Sequence, residues 1–535
     1  MQQNAAQSLL IKDENYDEAI LTRERDRLEM LLRNQGYYDF RKQYITFDVD
    51  TSYGGNSVRV ATVIANPNQG RFHKKYTIRN IYFVEDAGLK RFGVNRDTVV
   101  FEGVHYLAYD QYVSPKILDK KVRFGPGQPY SLIRVNRTQR QVTDLDVYRY
   151  TAINFNATPD TVNPQLDAFI NVTAAKRYQE TVEAGINIST FSAAQLSPLP
   201  FGSLRLKVRN IFGGAENLEF GVRGGFEGQP SATRDEIVTT TELGTNLALY
   251  FPQFLIPFPR YLDPTYGRSR DPLRIYNPRT RLNAAFTYTD REDYTRTNTE
   301  LSLAYFWQRS QQLQWVVSIA DINIVNVPFL SARFRTQLQG WASNGQPLIE
   351  SFRSAVLSGV NATRLYNSND LNQTRDAKFL KLYAEIGNVP RVLSLGKLPG
   401  FSNLFTEFTA NSDGTDRYRA FSFAKVNADG RRYIKIREKM FVVGRANLGL
   451  ATPVPGGRNN ILPYEKFYFA GGGSSIRAWR PRKLGPGSYS PPFLEEDGEI
   501  VTVNGFPQRD DSYEQPGEIL KEFNTEYRFN IFSIW

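Results

Sequence analysis

The chain has 535 residues, a net charge of +11 and a mean hydropathy of −0.45, and aromatic residues make up 13% of it. Its length indicates more than one domain, and it has no run near the roughly 18 apolar residues of a membrane helix. The absence of cysteine excludes disulfides, thiolate metal sites and a cysteine nucleophile. The basic residues are spread along the chain without a nucleic-acid motif, so we expect contacts with anionic lipid and no nucleic acid partner.

The N-terminal region has the pattern of a mixed α/β fold. Apolar residues spaced for one helical face predict a helix over Asp17–Asn34, with Gly36 at its C-terminal cap. Two strands, Tyr44–Asp50 and Val58–Ala65, are expected to follow.

A second set of elements follows in a similar order. We predict a strand at Lys75–Glu85, an insertion to about Val113, two helices and two strands; these last four are Ser114–Lys121, Leu132–Leu145, Tyr148–Asn156 and Leu166–Thr173. The order indicates an internal repeat of about 80 to 100 residues. Two generic α/β modules of another function would show the same order.

From Lys176 onward the apolar residues alternate with period two. In the first predicted strand, Tyr178–Ser189, the apolar side chains share one face: Val182, Ala184, Ile186 and Ile188. Later candidates are Leu204–Phe212, Trp315–Asp321, Phe379–Gly387, Tyr418–Val426, Arg432–Leu450 and Glu518–Phe529. Segments of about ten residues with one apolar and one polar face are typical of membrane strands. A soluble sandwich also alternates and is the alternative.

The connections between these strands alternate in length. Asn210–Ala215 predicts a tight turn, whereas Gln253–Thr280 and Asp321–Arg375 are expected to be long loops. Short turns on one rim and long loops on the other favour a barrel.

A basic, glycine-rich loop from Tyr468 to Tyr489 follows the late strands. Three glycines allow a tight backbone path, and an arginine lies between apolar residues; the motif is Gly471, Gly472, Gly473, Ser475, Ile476, Arg477 and Trp479. A surface loop is the simpler interpretation, but the apolar residues favour a tip that packs into a site and makes a charge-assisted hydrogen bond.

Catalytic interpretations find little support in the sequence. His73 and His105 are the two histidines, and no nucleophile elbow, P-loop or zinc-helix motif occurs. The acidic residues Glu495, Glu496, Asp497 and Glu499 could hold a hard cation, but a solvated loop face or pairing with the basic run Arg480–Lys483 is favoured. We expect no enzyme activity, no cofactor and no metal.

The loop and the strand after it resemble the BamA/TamA superfamily of outer-membrane assembly factors. The loop is similar to the superfamily's barrel-plugging motif, with Ala478 where the family has glycine. Pro516–Ile531 is similar to the strand that follows, through Asn524, Glu526, Tyr527 and Arg528, with Asn530 in place of a proline. The N-terminal order resembles the POTRA module, βααββ. Within the superfamily, the insertion and the loop look most similar to the TamL branch of the Bacteroidota, with BamA second.

The resemblance implies a transmembrane antiparallel β-barrel of about sixteen strands preceded by POTRA modules. The implied domains are a POTRA module at 1–74 that lacks its opening strand, a second at 75–175 with an insertion, and a barrel at 176–535. The plugging loop is expected at about 468–516. Roughly twelve strands can be counted, so the closing strands, with the partner of Arg477, are expected beyond Trp535.

The resemblance also implies a function and partners. A factor of this kind sits in the bacterial outer membrane with its POTRA modules in the periplasm, and it helps unfolded outer-membrane clients to fold and insert. Tyr178–Ser189 would form a lateral seam, and outer-membrane lipid and a TamB-like assembly protein would be partners. A two-partner secretion translocator is the alternative, and a passive porin or receptor barrel is disfavoured by the POTRA modules.

Overall fold

The computed structural model resolves two compact units, which are described separately. Among the described residues, the first comprises residues 8–177 and 209–216, and the second comprises the rest. The described residues are 8–52, 54–55, 57–67, 72–88, 93–160, 162–192, 195–230, 237–255, 276–343, 349, 352–369, 375–388, 419–437, 439–454, 462–472, 475–479, 482, 484–485, 493, 495–496, 499–500, 502–503, 506–507 and 515–530.

The first unit begins with the predicted helix and hairpin. Helix α1 spans Glu18–Asn34, and the Asp17 carboxylate caps it by accepting from the Ala19 N–H at 2.8 Å. Gly36 follows the helix with φ of 107°, as predicted for a cap glycine. After a short 3₁₀ helix, Lys42–Tyr44, strands β1 (Ile45–Asp50) and β2 (Arg59–Ile64) pair antiparallel.

A five-stranded sheet with two helices forms the rest of this unit. Its elements are β3 (Thr77–Val84), β4 (Asp97–Phe101), β5 (Val104–Ala108), α2 (Pro115–Asp119), α3 (Leu132–Thr143), β6 (Tyr148–Ala157) and β7 (Gln165–Ala174). The strand order is β4-β5-β3-β7-β6. The predicted order of strand, two helices and two strands is confirmed. The predicted insertion contains a hairpin, β4–β5, that its short apolar runs did not reveal.

The core of this sheet lies on the face that carries the helices. Ile81, Phe83, Ile170 and Val172 alternate with exposed or half-buried residues and pack with apolar side chains of α2 and α3. Glu85, at the end of β3, is buried and accepts from the Tyr148 hydroxyl at 2.6 Å and the Tyr112 N–H at 2.8 Å. Burial raises the pKa of the Glu85 carboxyl, and these hydrogen bonds oppose the rise.

The second unit is an antiparallel meander in which sequential strands are neighbours. Among the described residues its strands are β8 (Tyr178–Ser192), β9 (Gln195–Arg209), β10 (Asn217–Pro230), β11 (Ile237–Phe251), β12 (Tyr276–Asp290), β13 (Tyr294–Gln308), β14 (Leu313–Leu330), β15 (Ala355–Asn367), β16 (Ala377–Gly387), β18 (Phe423–Arg437), β19 (Met440–Pro453) and β24 (Ile519–Phe529). The twelve strands expected from the sequence are confirmed.

Smaller elements complete this unit. Helix α4 (Ala332–Ser343) lies between β14 and β15, and a two-residue strand, β17 (Arg419–Ala420), pairs parallel with β15. A 3₁₀ helix spans Tyr464–Lys466. Two short hairpins follow, made by β20 (Glu495–Glu496) with β21 (Glu499–Ile500) and by β22 (Thr502–Val503) with β23 (Phe506–Pro507).

Two predictions for this region are wrong in detail. The predicted strand Arg432–Leu450 is a hairpin of β18 and β19, because the turn after Arg437 has no glycine or proline signal. The predicted loop Asp321–Arg375 contains the end of β14, helix α4 and β15. Helix α4 was missed because it is stabilised by tertiary packing: Phe334 and Leu338 are buried against Phe352.

The sheet has the inside-out distribution of a membrane barrel. Large apolar side chains such as Val182 and Phe523 are 75% and 68% exposed, whereas Glu385, Asp429 and Glu522 are buried. In the part of the chain that the structure describes, no helix is both long and apolar enough to cross a membrane. The predicted fold class is confirmed: a transmembrane antiparallel β-barrel sheet preceded by an α/β region of the POTRA kind.

Candidate functional site

The two ends of the predicted plugging loop, at Tyr468 and Gly517, are hydrogen-bonded to each other. The N–H of Tyr468 donates to the carbonyl of Gly517 and the N–H of Gly517 donates back, both at 2.8 Å. The Tyr468 hydroxyl donates to the Val426 carbonyl at 2.7 Å, and the ammonium of Lys425 lies 4.3 Å from the ring centroid. A Cβ atom at Gly449 would lie 2.5 Å from the Tyr468 ring, so only glycine admits the ring here.

The predicted glycine turn is present where the structure describes it. Gly471 and Gly472 have φ of 99° and 88°, and Gly473 lies outside the described residues. The Gly472 N–H donates to the carbonyl of Trp479 at 2.9 Å, and the Ser475 N–H donates to the Gly472 carbonyl at 3.0 Å. The segment therefore folds back on itself directly after its glycines.

A serine holds this turn to the inner face of the sheet. The Ser475 hydroxyl donates to Glu522 Oε2 at 3.0 Å and accepts from the Gly471 N–H at 3.3 Å. Arg445 donates to Glu522 Oε1 at 2.8 Å and to Asp429 Oδ2 at 3.1 Å. Glu522 is 5% exposed. The loop is thus fixed to a buried chain of alternating charges that crosses β18, β19 and β24.

The tip of the loop is exposed among the described residues, and its packing into a site stays a prediction. The Arg477 side chain is 77% exposed, and its guanidinium lies 3.7 Å from Glu526 Oε1. Trp479 is 50% exposed, and Ile476 is half-buried. Arg477 lies within the turn that the Gly472–Trp479 hydrogen bond closes, with its side chain exposed.

Arg482 makes contacts that its place in the basic run Arg480–Lys483 did not predict. Its guanidinium donates to the Tyr464 hydroxyl at 2.6 Å and lies 4.9 Å from the centroid of the Phe469 ring. Tyr464 in turn packs against Phe352 of the α4 cluster. Arg482 therefore ties the loop to the segment that precedes it.

A second buried ion pair lies near the start of the loop. Lys466 Nζ is 2.5 Å from Glu385 Oε1, and Glu385 also accepts from the Tyr383 hydroxyl at 2.7 Å. Arg296 forms an ion pair with Glu465. Sequence reasoning missed these residues because their partners lie on distant strands. The sequence could have indicated Glu522, because it lies two residues before Asn524 and therefore on the same polar face of the strand as Asn524 and Glu526.

The strand after the loop has the predicted two faces. In β24 the alternate residues Glu522, Asn524 and Glu526 are buried or half-buried, while Phe523, Tyr527 and Phe529 are exposed. Asn524 donates to Glu522 Oε1 at 2.7 Å, and Arg528 donates to Glu526 at 2.7 Å. The strand thus supplies the acceptors near the loop.

Strand β8 ends the sheet in the part of the chain that the structure describes, where it pairs with β9. The Arg209 N–H donates to the Arg177 carbonyl at 2.8 Å, so Arg177 faces β9, as does every second residue after it. The backbone N–H and C=O groups of Val182, Ala184 and Ile186 therefore point to the free edge. Their side chains are exposed as well, whereas that of Ile188 is outside the described residues.

No group of three or more potential metal ligands occurs among the residues that the structure describes. The side chains of the acidic residues Glu495, Glu496, Asp497 and Glu499 lie outside that set. The favoured interpretation of this segment, a solvated loop face or a partner of the basic run Arg480–Lys483, therefore stays a prediction.

These features define the class of protein, an outer-membrane barrel whose strands hold a long loop. Residues 401–534 match the model of the Omp85 superfamily domain. This match agrees with the superfamily resemblance of the loop and of β24. No curated protein matches the chain.

The chain has partial structural similarity to solved structures, two of which are described here by their extent of similarity. BamA from Haemophilus ducreyi lacking POTRA domains 1-3 has a TM-score of 0.46 at 12% identity, over 91% of this chain and 74% of that one. CdiB from Escherichia coli has a TM-score of 0.37 at 12% identity, over 87% of this chain and 67% of that one.

Proposed function

We propose that this chain is an outer-membrane assembly or translocation factor that helps client β-barrel proteins fold and insert. The observation that carries the proposal is the free backbone edge of β8 among the described residues, in a membrane-type sheet that follows an α/β region. The Omp85 match over residues 401–534 supports the same class of protein. The similarity of the loop and the insertion to TamL supports an assembly role.

The chemistry of such a seam is hydrogen-bond exchange. Backbone groups of Val182, Ala184 and Ile186 that face lipid have no water to pair with, and each unsatisfied group costs several kcal/mol there. An extended client strand satisfies these groups as it leaves the aqueous phase. The edge of β8 thereby provides a template for a new strand and needs no covalent step.

The remaining parts have supporting roles in this proposal. Residues 1–74 and 75–175 act as periplasmic POTRA modules that receive clients by β-augmentation, and residues 176–535 form the barrel. A TamB-like protein is the proposed assembly partner. The loop at about 468–516 closes the lumen, with its base fixed by Ser475 and Glu522 and with Arg477 near Glu526.

The location is tested on a denaturing gel. A closed barrel in the intact protein should migrate differently when heated and unheated. Recovery from the periplasm without a membrane fraction would contradict an outer-membrane location.

The seam is tested by removing one edge donor. Proline at position 184 lacks the N–H that faces the free edge, and proline is tolerated on edge strands. We expect Ala184→Pro to reduce assembly of a reporter barrel by at least tenfold, whereas the control Ala184→Val, which keeps the N–H, retains it. Full assembly by Ala184→Pro would rule out pairing at β8. Export of a soluble client without any reporter assembly would identify a two-partner secretion translocator instead.

A further inference from the structure

Three basic residues lie on the outer face of β15, β16 and β18, which are successive strands of the barrel sheet. Lys378 of β16 lies directly opposite Arg432 of β18. Arg364 of β15 lies directly opposite Leu382, which is on the same face of β16 as Lys378. Directly opposite residues of an antiparallel pair share a face of the sheet. Ile434, two residues after Arg432, is 45% exposed, so this face is the outer one.

The three basic residues are close to one rim of the sheet. The strands alternate in direction, so β15 and β18 end at the rim where β8 begins, and β16 starts there. Lys378 is next to the first residue of β16, and Arg364 is close to the end of β15 at Asn367. Trp307 and Trp315 stack at the same rim with their ring centroids 5.9 Å apart. Tryptophan is enriched where hydrocarbon meets headgroups, so the basic residues are at headgroup level.

The pair of Lys378 and Arg432 places two like charges side by side. Like charges directly opposite each other destabilise a sheet, and the repulsion is greater where lipid lowers the dielectric constant. Asp376 is an acidic neighbour: its Oδ2 lies 3.8 Å from Arg432 Nη2, and its Oδ1 accepts from the Lys435 N–H at 2.9 Å. A single carboxylate does not neutralise two cations, so an added anion stabilises the pair.

Arg364 is positioned by an aromatic ring. Its guanidinium carbon lies 5.8 Å from the centroid of the Trp315 ring. A guanidinium held in this way can still donate from its edge, and its planar fork suits the oxygens of a phosphate.

The outer face beside the basic pair is lined by small residues on the side toward the middle of the strands. Gly430 and Ala428 precede Arg432 at alternate positions of β18. Gly430 lies between Leu380 of β16 and Ala446 of β19. The small residues leave a shallow apolar groove along β18, which leads from the basic pair toward the centre of the bilayer. An acyl chain has the shape and chemistry to lie in such a groove.

We propose that the outer face of β15, β16 and β18 binds an anionic phospholipid. Lys378 and Arg432 hold its phosphate, Arg364 contacts the headgroup, and an acyl chain lies along Gly430. A phospholipid is the occupant because it joins a phosphate to an acyl chain, as this face joins a basic pair to an apolar groove. This inference rests on the proposed outer-membrane function and assigns the lipid to the leaflet at the rim where β8 begins.

Photo-crosslinking of the whole chain in lipid nanodiscs tests this site directly. The probes are phosphatidylglycerol and phosphatidylcholine that carry the same photoreactive group on an acyl chain, each added at a trace level to phosphatidylcholine. Both lipids have a phosphate, but only the phosphatidylglycerol headgroup has a net negative charge. We expect phosphatidylglycerol to label β16 and β18 at least tenfold more than phosphatidylcholine does.

A charge-removing variant and a matched control give a second test. Lys378→Gln/Arg432→Gln should reduce labelling by phosphatidylglycerol at least tenfold. The control Lys521→Gln removes a positive charge from the outer face of β24, where Lys521 lies opposite the exposed Leu448, and should leave labelling of β16 and β18 unchanged. The heat-dependent gel shift shows whether each variant is folded. If the double variant is not folded, the comparison of the two lipids on the unaltered chain decides alone.

The outcomes separate this inference from the proposed function. Equal labelling of β16 and β18 by the two lipids would overturn the inference, as would labelling by phosphatidylglycerol that the folded double variant retains. Either result would leave the assembly function in place. Absence of reporter assembly by the unaltered chain would instead overturn the assembly function. Selective labelling of β16 and β18 by phosphatidylglycerol would in that case still support the lipid site.

Discussion

The α/β region and the barrel sheet use the same strand alternation in opposite ways. In β7 the buried side chains are apolar, as at Ile170 and Val172, and the intervening positions are half-buried. In β24 the most buried residue is Glu522, and Phe523 is exposed. Alternation alone therefore specifies a two-faced strand. The surroundings, helices in one region and lipid in the other, decide which face is covered.

The difference is sharpest at Glu522, whose charge is buried where β7 buries alkyl groups. Glu522→Ala removes one carboxylate partner of the Arg445 guanidinium and the acceptor of the Ser475 hydroxyl. We expect a loss of about 3–5 kcal/mol, the usual cost of breaking a buried ion pair. Urea unfolding from bilayers and proteolysis of the loop measure the two effects.

The matched control is on the same strand. Glu526 has the same chemistry but a half-exposed side chain that pairs with Arg528. Glu526→Ala should cost about 0–1 kcal/mol. Equal losses for the two variants would show that the buried charge chain does not hold the loop.

A charged side chain on the exposed face of β8 should destabilise the barrel if that face lies in lipid. We expect Ile186→Arg to destabilise the barrel by about 2–4 kcal/mol, which is the cost of arginine near the bilayer midplane. Ser203→Arg is the control, because it places the same charge on the inner face next to Glu183. If both variants unfold at the same urea concentration, the outer face is not in lipid.

The α/β core should be sensitive at the buried carboxylate of Glu85. Glu85→Ala removes the acceptor of the buried Tyr148 hydroxyl, and an unsatisfied buried donor costs about 1–3 kcal/mol. Exchange of the β3 amides reports this loss locally. Tyr148→Phe removes the hydroxyl donor, so no buried donor is left without an acceptor. The double variant Glu85→Ala/Tyr148→Phe should therefore be less destabilised than Glu85→Ala alone.

The same carboxyl predicts a pH dependence. Because its folded pKa is raised above the unfolded value, the folded state binds more protons between the two values, and stability falls as pH rises through that window. Glu85→Gln should remove this fall, which exchange measured from about pH 4 upward would detect. A slope that persists in the variant would assign the effect to another group.

The smallest effect is expected at Arg477. Its exposed contact with Glu526 predicts a stability change of about 0–1 kcal/mol for Arg477→Ala. Arg482→Ala should loosen the loop more, since it removes contacts with Tyr464 and Phe469. Greater protease sensitivity of Arg477→Ala than of Arg482→Ala would restore the role that the motif resemblance gave to Arg477.

Local patterns predicted the elements well and the contacts between them poorly. Helix α1, the turn at Gly471 and the two faces of β24 follow from spacing, glycine and alternation. The β4–β5 hairpin and α4 depend on neighbours that are distant in sequence. The same holds for Lys466 with Glu385 and for Arg482 with Tyr464, since a charged residue carries no local sign of its partner.

The two hydrogen bonds between Tyr468 and Gly517 hold the ends of the loop together, so the loop between them loses chain entropy when it closes. Closing a flexible loop costs free energy that grows with the logarithm of its length, and doubling the length adds only about 0.6 kcal/mol. With the two ends fixed in this way, a moderate change in the length of the loop between Tyr468 and Gly517 should alter the cost of closing it only slightly. An epitope tag inserted there should leave the barrel as stable as before and report which side of the membrane the loop occupies.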